Sequence, residues 1–130
     1  MEILNVLAAA AASWVFGAVW YMALAKPWMA AAKITVDENG RPANDSAMPY
    51  LLSAVAMILV AGMMRHVFAL GLIDSPAKGI VAGAGIGLFF ISPWIAINNL
   101  YGMRPLRLTL IDGGYATLGC AAMGLVLTLL

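Results

Sequence analysis

The sequence predicts an all-α integral membrane protein whose four transmembrane helices form an up-down antiparallel bundle. Hydrophobic residues make up 64% of its 130 residues and charged residues only 10%, whereas soluble domains carry about 25% charge. The apolar residues also fall into four runs, each long enough for the roughly 20 helical residues that cross a bilayer. We therefore expect one domain, with spans at about 3–25, 49–70, 76–102 and 105–129 and a cytoplasmic loop at 26–48.

The charge and the cysteine content narrow the possible functions. The net charge of +1 provides no basic face, so we expect no nucleic-acid partner. Cys120 is the one cysteine and lies in an apolar run, so it cannot form a disulfide within the chain. The expected surroundings of the chain are the lipid bilayer.

The first span begins directly after Met1 and Glu2, without a basic segment before it. A cleaved signal peptide would have such a segment and a shorter apolar stretch, so we expect a transmembrane helix. Small residues recur on this helix at steps of four, a spacing that allows another helix to approach closely. These predicted packing residues are Ala9, Ser13 and Gly17.

The connection 26–48 is the longest polar segment of the chain. Pro27 suits the first turn of a short helix at the membrane surface. The aromatic residues that mark this interface are Trp20, Tyr21 and Trp28. The acids of the loop, Asp37, Glu38 and Asp45, lack the spacing of a calcium-binding loop, so we expect a solvated loop without a metal site.

The second span carries a second polar site near its end, at Arg65 and His66. Residue 70, its expected end, is about 7 Å of helix beyond Arg65, so the guanidinium can extend to the headgroups or turn inward to an acid. Glu2 should lie on the same side of the membrane. Both a snorkelling arginine and a paired functional site fit this pattern.

His66 is also the one candidate for binding a cofactor. Intramembrane histidines ligate haem and related pigments, but a single chain with one histidine offers only a methionine as the second axial ligand. Ligation by two histidines would require a second copy or a partner protein. We expect no cofactor.

The third span begins sharply, with Ser75 as the N-cap and Pro76 in the first turn. Its first half carries two overlapping GxxxG units, which create a groove for an intrachain neighbour or for a second copy. Pro93 in its middle removes a backbone hydrogen bond, and Ser92 is close enough to compensate for it. The glycines of the groove are Gly79, Gly83 and Gly87.

Two asparagines follow the proline. At 100° per residue, Asn98 returns to within about 20° of Gly87. We therefore expect Asn98 to face the packed groove and Asn99 to face elsewhere. An asparagine inside a membrane usually bonds helices together.

The fourth span contains Asp112, whose charged side chain is costly to place in the hydrocarbon of a membrane. A carboxylate at this depth costs about 2.5 to 3.5 kcal/mol on insertion scales, so it should face the bundle interior and have polar partners. The connection after the third span is tight, which brings Asp112 to the depth of the preceding asparagines. Its candidate partners are Asn98, Trp94, Tyr21 and Arg107.

The distribution of basic residues predicts the orientation. One side receives Lys26, Lys33, Arg41, Arg104 and Arg107, and the other receives Lys78 and Arg65. The positive-inside rule makes the first side cytoplasmic, with both termini periplasmic. Asp112 and its neighbours then lie in the cytoplasmic half.

The two ends of the chain resemble a known family. The first span reads G-x-x-W-Y, with a further Trp at Trp28, and the last hairpin reads N-x(4 or 5)-R-P followed by I-D-x-G-Y. This resembles the bacterial membrane proteins grouped as domain of unknown function 1761. The resemblance implies a four-helix inner-membrane protein and no particular activity. Leu100–Met103 replaces the family's Phe-Glu-Gly turn, which leaves Arg104 free to bind a lipid phosphate, a partner or the first loop.

Three classes of function follow from these features. The glycine and small-residue faces favour a structural or accessory subunit that binds another membrane protein or itself, as a homo-oligomer or within a larger complex. The alternative is a small proton- or cation-coupled transporter, or a lipid-handling protein, with Asp112 as its site and the kink at Pro93 as a gate. An intramembrane enzyme is not expected, because no base accompanies Cys120, and His66 and Asp112 are predicted in opposite halves.

Overall fold

The computed structural model describes residues 2–40, 42 and 46–130. Arg41 and Asp45, which the sequence placed in the first loop, lie outside the described residues. The described helices are α1 (Glu2–Ala23), α2 (Ala25–Ala32), α3 (Met48–Leu70), α4 (Pro76–Gly85), a π-helical turn (Ile86–Ile91), α5 (Ser92–Tyr101) and α6 (Leu106–Leu129).

The four apolar runs of the sequence are helices long enough to cross a membrane. They are Glu2–Ala23, Met48–Leu70, Leu106–Leu129 and the continuous segment Pro76–Tyr101, which joins α4, the π turn and α5. No strand occurs among the described residues, where the β-type pairing is an isolated bridge between Val36 and Pro42. The all-α class with four apolar helices is thus confirmed, and the up-down order across a membrane stays a prediction.

Helix α6 lies at the centre of the fold and contacts the other three spans. The Asn5 side chain near the start of α1 reaches the carbonyls of Val126 and Leu127 near the end of α6. The hydroxyl of Tyr21, near the end of α1, reaches Asp112 near the start of α6. Helices α1 and α6 therefore lie side by side and run in opposite directions.

The glycine groove of the third span is occupied by α6. A Cβ built on Gly83 would overlap the carbonyl of Cys120, and one built on Gly79 would lie 2.5 Å from the Thr128 hydroxyl. At Gly87 the obstacle is the backbone of Ala116 and Thr117. Close approach of two backbones thus requires these glycines, and the face that could have served a second copy is used within the chain.

A small apolar core joins α1, α3 and α6 at the end of the molecule opposite Asp112. At this end α3 packs on α1 and on the last turns of α6. Its buried members are Ala9 and Ala10 from α1, Ala61, Met64 and Phe68 from α3, and Cys120, Met123 and Leu127 from α6.

Two helix starts were predicted from capping residues. Ser75 accepts a hydrogen bond from the backbone N–H of Lys78 at 3.4 Å, and Pro76 occupies the first turn of α4, as predicted. The short helix after the first span begins at Ala25, two residues before Pro27, because it follows α1 after a single turn residue. It ends at Ala32, and the capping residue Lys33 has a left-handed backbone with a φ of 55°.

The π-helical turn of the third span lies immediately before Pro93. The backbone N–H of Ser92 donates to the carbonyl of Gly87, five residues back. The Ser92 hydroxyl is 2.7 Å from the same carbonyl and 3.1 Å from that of Gly113 on α6. The wider turn thus accommodates the proline, which has no backbone N–H to donate. The Ser92 hydroxyl links the end of this turn to the backbone of α6.

This turn overturns the predicted roles of the two asparagines. A π turn takes in one extra residue, so everything after it is rotated by about 100° from the position that α-helical counting gives. Asn99, rather than Asn98, faces α6, and its side-chain amide donates to the Thr109 hydroxyl at 3.0 Å. Asn98 is exposed.

The two asparagines provide a matched test of this register. We expect Asn99→Ala to lower the free energy of unfolding by about 1 kcal/mol, the usual worth of an interhelical hydrogen bond in a membrane. Asn98→Ala should leave it unchanged. Thermal unfolding of both variants in detergent measures the difference, and an effect of Asn98→Ala equal to or larger than that of Asn99→Ala would contradict the assigned register.

Candidate functional site

The candidate site lies where the end of α1 meets the first turns of α6. Its members, called the aromatic–carboxylate cluster below, are a carboxylate and five aromatic rings from α1, α2 and α6. None of them is fully exposed. They are Phe16, Trp20, Tyr21, Trp28, Asp112 and Tyr115.

Asp112 is half-buried and is bound by Tyr21. The tyrosine hydroxyl donates to Oδ1 of Asp112 at 2.7 Å. Asp112 lies in the second turn of α6, where a short distance from the helix start keeps the carboxylate near the loop end of the span. The pair thus joins the first and last spans at that end.

Trp20 makes the second contact between these helices. Its indole N–H donates to the carbonyl of Ile111 at 3.0 Å. The ring lies directly over Gly114, where an added Cβ would be 2.8 Å from Cζ2 of the tryptophan. A larger residue at position 114 would displace the indole and break its hydrogen bond.

Tyr115 makes the third contact, in the opposite direction. Its hydroxyl donates to the backbone carbonyl of Ser13 at 2.9 Å. The ring occupies the space over Gly17, where an added Cβ would lie 2.7 Å from the tyrosine. Each helix therefore contributes a glycine that accepts an aromatic ring from the other.

The five aromatic rings contact one another in a continuous series next to the carboxylate. Phe16 is stacked against Trp20 and Tyr115, with centroids 6.0 and 6.2 Å away. Tyr21 meets Tyr115 and Trp28 edge to face, at 5.5 and 5.8 Å. Because Trp28 comes from α2, the short helix after α1 covers the site from the loop side.

The partners expected for Asp112 are brought together only in part. Tyr21 is its hydrogen-bond partner, whereas Trp94 is 68% exposed and Asn98 is also exposed, because the π turn rotates this part of span three. Arg104 and Arg107 are exposed. Neither ion pair found among the described residues involves Asp112.

The second polar site is centred on Arg65 and includes a residue that the sequence analysis missed. The guanidinium donates to Oδ1 of Asn5 at 2.5 Å and lies 3.6 Å from the Glu2 carboxylate. Asn5 is buried, and its amide is 3.3 to 3.4 Å from two carbonyls near the end of α6. His66 is exposed, and Asp74 pairs with Lys78 at 3.3 Å.

A signal for Asn5 was present in the sequence. Asn5 precedes Ala9, Ser13 and Gly17 by the same step of four, so it extends the small-residue stripe of α1 by one turn. All four residues are buried. The stripe therefore faces the protein along its whole length and carries a polar side chain at one end.

A family model described as a protein of unknown function (DUF1761) matches residues 4–128. The match extends across the four spans, the aromatic–carboxylate cluster and, apart from Glu2, the second polar site. Neither the comparison with curated proteins nor the comparison with solved structures gives a match. Several of the residues that carry the sequence resemblance meet between α1 and α6, namely Gly17, Trp20, Tyr21, Ile111, Asp112, Gly114 and Tyr115, whereas Asn98 and Arg104 of the same motifs are exposed.

The hydrogen bond from Tyr21 to Asp112 is open to a direct test. Tyr21→Phe keeps the ring contacts and removes only the donor, so we expect a loss of about 1 to 3 kcal/mol in stability, the cost of a buried acceptor without its partner. Tyr101→Phe is the matched control, because Tyr101 is 88% exposed. Thermal unfolding in detergent should show a lower midpoint for Tyr21→Phe alone, and equal midpoints would contradict the described contact.

Proposed function

We propose, for a chain that belongs to the DUF1761 family of proteins of unknown function, that Asp112 is the ion-binding carboxylate of a small proton- or cation-coupled membrane protein. One observation carries this proposal. Asp112 lies inside a membrane-spanning helix, and its described hydrogen-bond partner is a neutral hydroxyl. A carboxylate in that position would be stabilised by binding a proton or a cation.

The magnitudes support this argument. An aspartate inside a membrane costs about 2.5 to 3.5 kcal/mol on insertion scales and more in simulations of isolated helices. One hydrogen bond to a charged group returns about 1.5 to 3 kcal/mol. The bond from Tyr21 thus offsets a large part of the cost of the charge, and a bound proton or cation would offset what remains.

The position of the carboxylate favours exchange with one side of the membrane. Asp112 is half-buried near the loop end of α6, and the exposed Arg104 and Arg107 lie closer to that end. Under the positive-inside rule this end is cytoplasmic and both termini are periplasmic, in a bacterial inner membrane. The proposed ion would therefore enter from the cytoplasm, past Trp28 of α2.

An ion bound at Asp112 would affect the conformation of the π turn in span three. The hydroxyl of Ser92, the residue that follows the turn, lies 2.7 Å from the carbonyl of Gly87 and 3.1 Å from that of Gly113, the residue next to Asp112. π turns inside helices are often found at functional sites. Binding at the carboxylate would thus be transmitted to span three through a single hydroxyl, close to the proline that was predicted as a gate.

The two residues considered for catalysis, Cys120 and His66, lie apart from the aromatic–carboxylate cluster. Cys120 is buried in the apolar core, and His66 lies at the Arg65 end of the fold, away from Asp112. Among the described residues, no group of three or more His, Cys, Asp or Glu side chains is placed to hold a metal ion. The ion-binding role proposed for Asp112 requires neither a catalytic group nor a resident cofactor.

The second candidate function is an accessory subunit of a membrane complex. The small-residue faces that suggested it are used within the chain, so a partner would have to bind elsewhere. The outer face of span three offers the required surface, because Phe89, Phe90 and Trp94 are 68 to 71% exposed there. Aromatic residues are enriched at protein interfaces.

The accessory role predicts the state of the extracted protein. Gentle detergent extraction should yield a homo-oligomer or a stoichiometric complex, which light scattering coupled to size exclusion would detect. Phe89→Ala together with Phe90→Ala should dissociate it. Monomers of the unaltered chain at all accessible concentrations, without a copurifying protein, would exclude this candidate.

Ion coupling predicts a specific effect of neutralising the carboxylate. Asp112→Asn keeps an oxygen that accepts the Tyr21 hydrogen bond but removes the charge. In proteoliposomes carrying a pH-sensitive dye, we expect the unaltered chain to move protons in response to a sodium or potassium gradient. Asp112→Asn should reduce this flux at least about tenfold, since an amide does not exchange a proton in this range and its neutral oxygen is a weaker cation ligand than a carboxylate.

The control for this experiment is Asp74→Asn, which removes an exposed carboxylate paired with Lys78. It should retain the full flux. Thermal unfolding establishes that Asp112→Asn remains folded. A folded Asp112→Asn variant with unchanged flux, or an unaltered chain that performs no better than empty liposomes with either gradient, would contradict the proposal.

A further inference from the structure

The second polar site forms one end of an open groove between α1 and α3. The groove has a volume of about 420 Å³, within the range of small-molecule sites. Its polar lining consists of Glu2, Arg65 and His66, and its apolar lining includes Leu7, Ile58 and Gly62. It therefore offers charged groups at one end and hydrocarbon contact at the other.

We propose that this groove binds a zwitterionic phospholipid from the surrounding bilayer. The lipid phosphate would bind to Arg65 and His66, its ammonium group to Glu2, and one acyl chain would lie along Leu7, Ile58 and Gly62. The inference is independent of the ion-binding role of Asp112, which lies toward the other end of α1 and α6.

The charges of the groove complement those of such a headgroup. Arg65 and Glu2 are 3.6 Å apart, beyond hydrogen-bond length, and the Glu2 side chain is 82% exposed. An acid and a base at this separation match a headgroup that carries one charge of each sign. An anionic lipid would satisfy Arg65 and be repelled by Glu2, so a net-neutral headgroup fits better.

The guanidinium is held in place before any ligand arrives. Asn5 accepts one of its N–H groups and is itself anchored by two carbonyls of α6. Arginine has five N–H donors, so this anchoring leaves donors for a phosphate. Fixing the arginine in advance lowers the entropy lost when a lipid binds.

The depth of the site suits a headgroup. Helix α3 continues for about 7 Å beyond Arg65, which places the guanidinium within reach of the phosphate level. Glu2 is at the very start of α1, at the same end of the molecule. The charged end of the groove is thus interfacial, and its apolar end is directed toward the hydrocarbon.

Gly62 leaves the apolar end of the groove open. A Cβ built on this glycine would meet nothing within 4 Å, in contrast to the glycines that pack against α6. Leu7 and Ile58 on either side are 42% and 39% exposed. An added Cβ at position 62 therefore meets no clash, and a longer side chain there would extend into the groove and also favour the helix.

Gly62→Leu therefore tests the proposal without threatening the fold. Delipidated full-length protein is titrated in detergent with phosphatidylethanolamine or phosphatidylglycerol of identical acyl chains, and native mass spectrometry counts bound lipid. We expect the unaltered chain to prefer phosphatidylethanolamine. Gly62→Leu should raise the Kd of the protein for phosphatidylethanolamine at least about tenfold. Gly85→Leu is the matched control, since Gly85 also has open space beside it.

Two further arms identify what is recognised. Glu2→Gln should remove the preference for phosphatidylethanolamine over phosphatidylglycerol while both lipids still bind. Soluble phosphoethanolamine at millimolar concentration should not displace the lipid, because the groove requires the acyl chain.

The proposal is overturned if Gly62→Leu and Gly85→Leu bind lipid equally, or if the unaltered chain prefers phosphatidylglycerol. It is also overturned if soluble phosphoethanolamine displaces the lipid completely. A copurifying polypeptide that Gly62→Leu releases would identify a protein helix as the occupant instead.

Discussion

Helices in a bilayer gain no hydrophobic free energy by leaving lipid for each other, so their association depends on close contact and on polar bonds. In this chain both requirements are met at α6. Gly79, Gly83 and Gly87 bring the backbone of span three against one face of α6, and Gly17 and Gly114 admit aromatic rings between α1 and α6. The remaining features of the fold depend on these approaches, since a single added methyl group would separate the backbones.

Polar side chains of α1 bind α6 at both ends. Asn5 contacts the carbonyls of Val126 and Leu127 in the last turn of α6, and that of Val126 also accepts the backbone N–H of Leu130. Trp20 and Tyr21 bind a carbonyl and a carboxylate in its early turns. Two functional hypotheses arise from these two ends. The carboxylate end offers a charge that lacks a described ion pair, and the asparagine end fixes an arginine beside an open groove.

Much of this fold followed from the sequence, because its signals are local. Span lengths, the cap at Ser75 and the close approach at Gly83 depend on residues near one another in the chain. The faces of Asn98 and Asn99 were assigned wrongly, because periodicity assumes an unbroken α-helix and cannot register the extra residue of a π turn. The partners of Asp112 were found only in part for the same reason. Asn5 was missed because its importance depends on carbonyls about 120 residues away in the chain.

The pairing of α1 with α6 joins spans that are far apart in the sequence, and this has a consequence for biosynthesis. In a nascent chain α1 enters the membrane before α6. Until α6 is inserted, Asn5, Trp20 and Tyr21 therefore lack the groups that they bind in the finished protein. An incomplete chain is therefore chemically distinguishable from a complete one, and insertion chaperones or membrane proteases would have a direct basis for retaining the first and sparing the second.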